Sequence, residues 1–432
     1  MKLMYDYFMT INWNRINKEA LKIFQEYLAI DTSNPPGNEK LATDFFANLL
    51  LKEKIEFQTF TTAPKREILY AKIAGNKSNK GLMLCSHSDV VPVEKEKWTK
   101  NPFGGEIIDD KIYGRGAIDM KSCTIMQFIT FVLIKRHDIN LNRDLIFCIV
   151  PDEEIGSTYG MSWLVDNHSE LLDIEYSLNE GGYGFSDITI NNQPLFGIGY
   201  SEKKICWIKI TAFGMSGHGS QPHKKNATAK ITNALNKIIT WHQENYNENF
   251  QSEDDDLNNV MNKVIDPELV AMNQATLNIT RLNAGNKHNV IPAKAEAILD
   301  CRLPQHIDSN EFIHTMKNLV DDDEIIFENL STNEENLILE CEWDTELIHV
   351  IKEVLNSDYP NNVTIPLTSA YGTDNRFLRN IGINAYGFIP SIFSLEERSG
   401  FHNHDEYITK ENFINGCKMM YKITEMLCSN NN

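Results

Sequence analysis

Residues Leu145-Ile146-Phe147-Cys148-Ile149-Val150 are followed directly by Pro151-Asp152-Glu153-Glu154-Ile155-Gly156. The first six residues are all apolar, and a short apolar run of this kind is typical of a strand that is buried on both faces. Open α/β sheets place their functional sites at the carboxyl ends of such strands. Two adjacent glutamates at that place are costly unless a cation lies between them. A metal ion is the cation that the rest of the sequence favours.

The order of the predicted elements indicates an α/β protein with an inserted domain. The first half alternates helices over 16–30, 38–54 and 119–136 with strands over 68–74, 81–85 and 145–150, which is typical of a sheet covered by helices. From about residue 200 a compact α+β set follows, with strands at 205–213, 275–282, 293–303 and 325–330 and helices at 227–244 and 309–320. Helices over 345–355 and 410–428 and a strand over 383–389 complete the pattern. We therefore expect residues 1–199 and 334–432 to form one discontinuous domain into which residues 200–333 are inserted.

Composition narrows the class of partner. The 432 residues carry a formal net charge of −19, which disfavours nucleic acid or an anionic membrane and leaves a small molecule as the expected substrate. No run of about 18 apolar residues occurs, so no membrane-spanning helix is predicted. The eight cysteines include no Cys-x-x-Cys pair, and the first residues lack an apolar signal segment, so we expect reduced core thiols and a cytoplasmic location.

Further ligand-type side chains stand at similar junctions between strand and loop. His87 follows the predicted strand over 81–85, and the nearby Asp89 suits the role of holding the second nitrogen of that imidazole. Two histidines and three carboxylates suit two zinc ions with one bridging acid, and these candidates are His87, Asp119, Glu154, Glu180 and His402. Glu153 is then left over beside the metals as a general base.

Each of these residues also has an ordinary explanation. Asp119 would serve as the N-cap of the helix over 119–136. Glu153 and Glu154 would be ordinary as solvated loop acids, and His404 competes with His402 as the ligand from that segment. Taken one at a time, none of these motifs is specific.

Taken in order, the motifs resemble the family of co-catalytic zinc aminoacylases and carboxypeptidases, which includes acetylornithine deacetylase and succinyl-diaminopimelate desuccinylase. The resemblance rests on His87-x-Asp89, Gly114-Arg115-Gly116-Ala117-Ile118-Asp119, Asp152-Glu153-Glu154-x-Gly156, Glu180-Gly181-Gly182 and His402-x-x-x-Glu406. It extends to Asn34-Pro35-Pro36-Gly37, Gly217-His218-Gly219-Ser220, Asn289-Val290-Ile291-Pro292 and Gly372-Thr373-Asp374. Ser86 and Asn179 depart from the family, where glycine and an acid are common, and neither departure removes a proposed ligand.

The resemblance implies a zinc-exopeptidase-like catalytic domain, built on a mixed sheet covered by helices, with an inserted α+β dimerisation (lid) domain. It implies that Asp119 bridges two divalent ions, with His87 and Glu180 completing one position and Glu154 and His402 the other. Zinc is the expected metal, and cobalt and manganese are the alternatives.

The resemblance also implies roles around the metals. Glu153 would act as the general base, and Asp89 would orient His87. His218 would stabilise the oxyanion in the site of the partner subunit of a homodimer. The substrate would be held by Asn289 and by Arg302, although Arg302 has the alternative of pairing with Asp300.

The expected function is that of a metal-dependent hydrolase that cleaves the amide bond of an N-acyl amino acid or a short peptide. The segments at 266–277 and 386–390 slightly favour a carboxypeptidase-like over an aminoacylase-like enzyme. A deacylase of a biosynthetic N-acyl amino acid and a non-catalytic small-molecule-binding relative are the alternatives. A nucleophilic hydrolase is disfavoured because no Gly-x-Ser-x-Gly occurs, and a dinucleotide enzyme because no Gly-x-Gly-x-x-Gly follows a first strand.

Overall fold

The structure is a computed structural model that describes residues 11–76, 78–246, 269, 271, 272, 274–331 and 337–429. Its contacts divide the chain into two units. The larger unit comprises Met1–Ser201, Cys341–Leu367 and Gly372–Asn432, and the smaller comprises Glu202–Glu340 and Thr368–Tyr371. The predicted fold class, an α/β mixed sheet with an α+β insertion, is confirmed. The boundaries expected at 199/200 and 333/334, and the dimerisation role of the insertion, remain proposals.

The described helices and strands are numbered separately in chain order. The helices are α1 (Trp13–Leu28), α2 (Lys40–Lys52), α3 (Lys121–Arg136), α4 (Met161–Asn167), α5 (Ala227–Asn245), α6 (Ser309–Val320), α7 (Glu346–Asp358), α8 (Asn375–Asn380), α9 (Leu395–Arg398) and α10 (Lys410–Cys428). The strands are β1 (Phe57–Ala63), β2 (Arg66–Ile73), β3 (Gly81–His87), β4 (Ile107–Ile108), β5 (Lys111–Tyr113), β6 (Leu145–Val150), β7 (Ile174–Asn179), β8 (Gly184–Ile190), β9 (Gln193–Glu202), β10 (Lys204–Phe213), β11 (Gly217–His218), β12 (Thr276–Ala284), β13 (Val290–Ile291), β14 (Lys294–Leu303), β15 (Ile325–Asn329), β16 (Val363–Ser369), β17 (Asn384–Gly387), β18 (Ile392–Phe393) and β19 (Tyr407–Thr409).

A mixed sheet of ten strands forms the centre of the larger unit. Its order is β1-β2-β6-β3-β7-β17-β9-β8-β18, and β16 pairs with β9. Strand β3 runs parallel to both β6 and β7, whereas β2 runs antiparallel to β6. Every residue of β3 and of β6 is buried. Burial on both faces explains why the sequence of β6 is a continuous apolar run rather than an alternating one.

Helices cover both faces of this sheet. On one face, α3 packs against β3 and β6 and also contacts α1 and α10. On the other face, Met161 and Leu164 of α4 and Leu378 of α8 share a core with Met83 and Cys85 of β3. The sheet is therefore the middle one of three layers. The loops that follow β3, β6 and β7 open at its carboxyl edge, where α/β proteins place their sites.

The smaller unit contains an antiparallel sheet in the order β12-β14-β10-β15. Helices α5 and α6 pack against it, and their apolar residues join a buried core with alternate residues of β10 and β14. A separate pair, β11 with β13, places His218 opposite Val290.

The predicted elements differ from the observed ones mainly at edges and ends. Strand β6 and helices α6 and α10 have the predicted bounds, because their apolar patterns are long or continuous. Strand β1 was not predicted: it lies at the sheet edge and reads Phe-Gln-Thr-Phe-Thr-Thr-Ala, with no buried residue to mark it. Strands β8 and β9 were missed as well.

All eight cysteines are buried, and their thiols are reduced. They contribute to the cores of the protein and not to covalent bridges, as the sequence predicted. Among the helices in the described parts of the chain, none combines the length and the apolar character that crossing a bilayer requires.

Candidate metal centre

The carboxyl ends of three adjacent strands supply the first residues of the site. Strand β3 ends at His87, which is in register with Val150, the last residue of β6. The loop after β6 continues into a short 3-10 turn over Glu153–Ile155, and β7 ends one residue before Glu180. Because β3 runs parallel to both of its neighbours, these loops meet at one edge of the sheet.

Asp119 lies between the two predicted histidine ligands. Its Oδ1 is 3.0 Å from Nε2 of His87, and its Oδ2 is 3.1 Å from Nε2 of His402. One carboxylate therefore presents one oxygen to each imidazole. A carboxylate that bridges two metal ions needs this arrangement.

The other two acids divide between the histidines. Oε1 of Glu180 is 3.5 Å from Nε2 of His87, and Oε2 of Glu154 is 3.2 Å from Nε2 of His402. This division is the one that the family resemblance implies. The ligand atoms of His87, Glu153 and Glu180 also lie within 4.8 Å of one another. Glu153 therefore belongs to the same cluster as the proposed ligands.

The second nitrogen of His87 fixes which nitrogen faces the cluster. Nδ1 lies 2.9 Å from the main-chain carbonyl oxygen of Asp89. Because a carbonyl oxygen only accepts, Nδ1 carries the proton and Nε2 is left to bind a metal ion. The structure differs from the sequence expectation in one respect: the Asp89 carboxylate is 3.6 Å from Nδ1. That carboxylate accepts instead from the N–H groups of Glu153 and Glu154, both at 3.1 Å.

A buried polar network holds the Glu153–Glu154 turn from behind. Asn34 donates to the Asp89 carboxylate at 2.9 Å, and Arg66 donates to Asn34 at 2.9 Å. Arg66 also forms an ion pair with Asp152, the residue before the turn. Asp152 has a φ of 74°, in the left-handed region where residues other than glycine are uncommon. Sequence reasoning gave Arg66 no role, because it lies outside every motif.

The side chains of this cluster do not balance one another in charge. Burial and the charge of Glu180 raise the pKa of Glu153 well above its ordinary value, and burial and Asp119 raise the pKa of Glu180 to about 8. Hydrogen bonds to Asp119 and Glu154 raise the pKa of His402 to about 10. Burial alone would raise the pKa of Asp119, but its hydrogen bonds with His402 and His87 lower that pKa. The cluster thus holds more negative groups than its imidazoles can neutralise.

The residues present fit divalent metal ions. Oε1 of Glu154 is buried and has no hydrogen-bond partner among the residues that the structure describes. Leaving a buried carboxylate oxygen without a partner is costly, and a cation would remove that cost. Imidazole nitrogens and carboxylate oxygens are the ligands that zinc prefers in catalytic sites. The donor set that would hold the metals is His87, Asp119, Glu154, Glu180 and His402.

The geometry bears on two of the alternatives from the sequence. Helix α3 begins at Lys121 with Met120 at its N-cap position, so the alternative in which Asp119 caps this helix is wrong. His402, and not His404, makes the contacts to Asp119 and Glu154.

The remaining predicted residues lie in the smaller unit. The N–H of Gly219, next to His218, donates to the carbonyl oxygen of Asn289 at 2.7 Å, so His218 and Asn289 lie close together. Both side chains are exposed. Arg302 donates to both carboxylate oxygens of Asp300, at 2.7 and 3.1 Å, which is the alternative that the sequence left open. The roles of these residues toward substrate stay predictions.

The fold and the cluster define the class of protein. A carboxylate between two imidazoles, two further acids beside those imidazoles and one additional, partly buried glutamate form the type of site found in hydrolases with co-catalytic metal ions.

Comparisons with known proteins give the family. Residues 83–426 match the model of the Peptidase family M20/M25/M40. Aminoacylase-1 of Dictyostelium discoideum is 30% identical over 414 residues, which cover 92% of this chain and 95% of that protein. A metallo-carboxypeptidase of the M20 family from Sulfolobus solfataricus has a similar structure, with a TM-score of 0.71 and 18% identity over 95% of this chain and 99% of its own. A dinuclear metal-binding peptidase of the M20 family from Bacillus subtilis has a TM-score of 0.64 and 16% identity over 96% and 98%.

The chain therefore belongs to the Peptidase family M20/M25/M40. It is an enzyme, a metal-dependent hydrolase of amide bonds.

Proposed function

We propose that this enzyme hydrolyses the amide bond of N-acyl amino acids with two divalent metal ions and with Glu153 as the general base. Zinc is the proposed metal, and cobalt and manganese are the alternatives. The observation that carries the proposal is the position of Asp119 between His87 and His402, with Glu153 in the same cluster. The 30% identity to an aminoacylase supports N-acyl amino acids over peptides. The slight preference of the sequence for a carboxypeptidase-like enzyme receives no support from that match.

The chemistry of the chain's own residues follows from their positions. When bound, the metal ions supply Lewis-acid activation, which lowers the pKa of water to roughly 7. Glu153 accepts the proton of the attacking water and passes it to the leaving nitrogen, so that the amine departs in a neutral form. Asp89, through its hydrogen bonds to the N–H groups of Glu153 and Glu154, holds that base in place.

The proposal also places substrate recognition in the smaller unit. His218 would donate a hydrogen bond to the developing oxyanion, and Asn289 beside it would bind the substrate backbone. Arg302 would bind the substrate carboxylate if it exchanged its ion pair with Asp300 for that ligand. The proposal includes a homodimer, in which His218 serves the site of the partner subunit. A cytoplasmic location is proposed as well, and the eight reduced cysteines support it.

The test starts from protein stripped of metal with a chelator and reloaded with zinc, cobalt or manganese. The substrates are a panel of amino acids, each in two matched forms: the N-acetyl derivative and the dipeptide with an N-terminal glycine. We expect stripped protein to be inactive, activity to return with about two metal ions per chain, and the N-acetyl form to be cleaved faster. The measurement is release of the free amino acid.

The other outcomes correspond to the alternatives. Faster cleavage of the dipeptides would indicate a carboxypeptidase-like or dipeptidase-like enzyme. Cleavage restricted to N-acetylornithine or N-succinyl-diaminopimelate would indicate a biosynthetic deacylase. Absence of hydrolysis by protein that holds two metal ions per chain would indicate a non-catalytic relative and would overturn the proposal.

A further inference from the structure

We propose that Glu406 is a positioning residue that sets the affinity of the metal position formed by Asp119, Glu154 and His402. The inference rests on the proposed two-metal function and extends it to a residue that had no role in the sequence analysis. Glu406 lies four residues after His402 and is completely buried. It is not offered as a ligand: its side chain binds the loop that carries Asp119.

The Glu406 carboxylate receives four hydrogen bonds from that loop. Its Oε2 accepts from Nη1 of Arg115 at 2.6 Å and from the N–H of Gly116 at 3.0 Å. Its Oε1 accepts from the N–H of Ile118 at 2.7 Å and from the N–H of Asp119 at 3.3 Å. The main chain immediately before the bridging carboxylate is therefore wrapped around one buried side chain.

The same residue fixes the segment that carries His402. The N–H of Gly114 donates to the carbonyl oxygen of Glu406 at 3.0 Å, and the next residue, Tyr407, is in register with Tyr113 where β19 pairs with β5. The preceding residue, Asp405, accepts from the N–H of Thr99 at 2.8 Å. The segment between His402 and β19 is thus held by its main chain and by two carboxylates. Glu406 therefore connects the loop that carries His402 to the loop that carries Asp119.

The four donors explain why a charged carboxylate is needed at this position. A buried carboxylate is tolerated when a cation and several N–H donors satisfy it, and Arg115 supplies the cation. A glutamine has one accepting oxygen and one donating amide group. In either orientation of the amide, two of the four donors would face an N–H group. The loop before Asp119 would then have to move away from Glu406.

The expected consequence is unequal for the two metal positions. One position would use Asp119, Glu154 and His402, and two of these three ligands are held through Glu406. The other would use His87, Glu180 and Asp119, of which Asp119 alone depends on Glu406. His87 and Glu180 are held by the central strands β3 and β7. Loss of the Glu406 carboxylate should therefore weaken one metal ion more than the other.

The experiment titrates stripped full-length protein with zinc against a chromogenic chelator, so that the two dissociation constants are measured without any activity assay. Glu406→Gln is the test variant, and Glu397→Gln is its matched control. Glu397 is also a buried carboxylate with four donors, namely the N–H and hydroxyl of Ser394, the N–H of Thr409 and the side chain of Asn412. None of these four belongs to the Asp119 loop.

We expect Glu406→Gln to raise the dissociation constant of one zinc equivalent by about 10–100-fold, the usual effect of removing a group that orients a metal ligand. The other equivalent should change less. Glu154→Gln identifies the equivalent, because it should weaken the same one. Glu397→Gln should lower the melting temperature of the metal-free protein and leave both dissociation constants unchanged.

Two results would overturn the inference. One is a Glu406→Gln protein with both dissociation constants like those of wild type. The other is equal weakening of both equivalents in Glu406→Gln and Glu397→Gln, which would mean a general loss of stability. If Glu406→Gln does not fold, Glu406→Asp gives the decision, because the shorter carboxylate keeps the charge but cannot reach all four donors. Failure of the proposed function is recognised separately on wild type, which would then either bind fewer than two zinc ions or hold two and show no hydrolysis.

Discussion

Glu153 and Glu154 are neighbours in the sequence but differ in their surroundings. Glu154 contacts His402 at 3.2 Å, and its other oxygen is buried without a hydrogen-bond partner in the described chain. Glu153 lies in the group formed with His87 and Glu180, and burial together with Glu180 raises its pKa well above the ordinary value. A raised pKa suits a group that must take up and return a proton.

We predict that Glu153→Gln retains two metal ions but loses turnover by about 10²–10⁴-fold, the usual contribution of general acid–base catalysis. Glu154→Gln is the matched comparison and should lose metal affinity instead. Metal content and kcat are measured on both proteins. A Glu153→Gln enzyme with nearly normal kcat would rule out this residue as the base.

Arg66 is another single residue with a structural role, and it supports the Glu153–Glu154 turn from behind. Its side chain is 9% exposed, and it pairs with Asp152 and donates to Asn34. Removing one partner from a buried ion pair leaves an uncompensated charge, whereas a surface pair contributes little.

We predict that Arg66→Met lowers the free energy of unfolding by about 3–5 kcal/mol. Arg136→Met is the control: Arg136 binds Glu19 and Glu53 with its side chain 30% exposed, and the expected loss is about 1 kcal/mol or less. Both values come from unfolding in denaturant. Similar losses in the two variants would contradict the structural role given to Arg66.

At the scale of elements, burial explains which helices and strands could be predicted from the sequence. The buried strand β6 and the long helix α10 were predicted with their observed bounds, because continuous or periodic apolar patterns survive in any compact fold. The edge strand β1 has no buried residue, and its pairing with β2 exists only once the sheet has formed. Helix α10 also carries a feature that the pattern alone did not reveal.

That feature is Glu425, which is 4% exposed on α10 and accepts a hydrogen bond from the hydroxyl of Tyr421 at 3.1 Å. Burial raises its pKa from 4.5 to about 7, although the hydrogen bond opposes the shift. Because the pKa is higher in the folded state, the folded protein binds the extra proton more tightly. The resulting stabilisation is complete below about pH 4.5 and is lost as the pH rises toward about 7.

We predict that Glu425→Gln gains stability relative to wild type as the pH rises, because glutamine keeps the accepting oxygen and never ionises. The difference in melting temperature between variant and wild type should be larger near pH 8 than near pH 5. Glu353→Gln, an exposed position on α7, is the control and should give a difference that is nearly independent of pH. The same difference at both pH values for Glu425→Gln would contradict the prediction.

At the scale of the whole molecule, the proposed function draws on both units. All proposed metal ligands lie in the larger unit, whereas His218 and Asn289 lie together in the smaller one. A closed two-fold dimer would offer one such pair to each active site. This arrangement is a prediction from the family resemblance.

We predict that mixing two inactive variants restores activity. Glu153→Gln chains and His218→Ala chains are combined and allowed to exchange subunits. If His218 acts in the partner's site, each mixed dimer has one site with both defects and one intact site, so activity should recover toward half per mixed dimer. Absence of recovery, despite demonstrated exchange, would mean that His218 serves its own chain or does not serve catalysis.

The sequence by itself determined the residue types from which the proposed site is built. His87, Glu154 and Glu180 could be proposed as ligands because each stands at or shortly after the end of a strand, and the carboxyl ends of neighbouring parallel strands meet at one edge. Asp119 and His402 could be assigned through the order of the motifs. These features are local, so they survive without knowledge of the tertiary contacts.

Only the tertiary structure decided how the residues are held. The Asp89 carboxylate binds the turn of Glu153 and Glu154, 64 and 65 residues away, and Glu406 binds the Asp119 loop across 287 or more residues. A carboxylate accepts whichever donors the fold brings to it, and its own sequence neighbours do not reveal them. Arg302 differs, because its pairing with Asp300 is a local contact between alternate residues on one face of β14, and its role toward substrate stays a prediction.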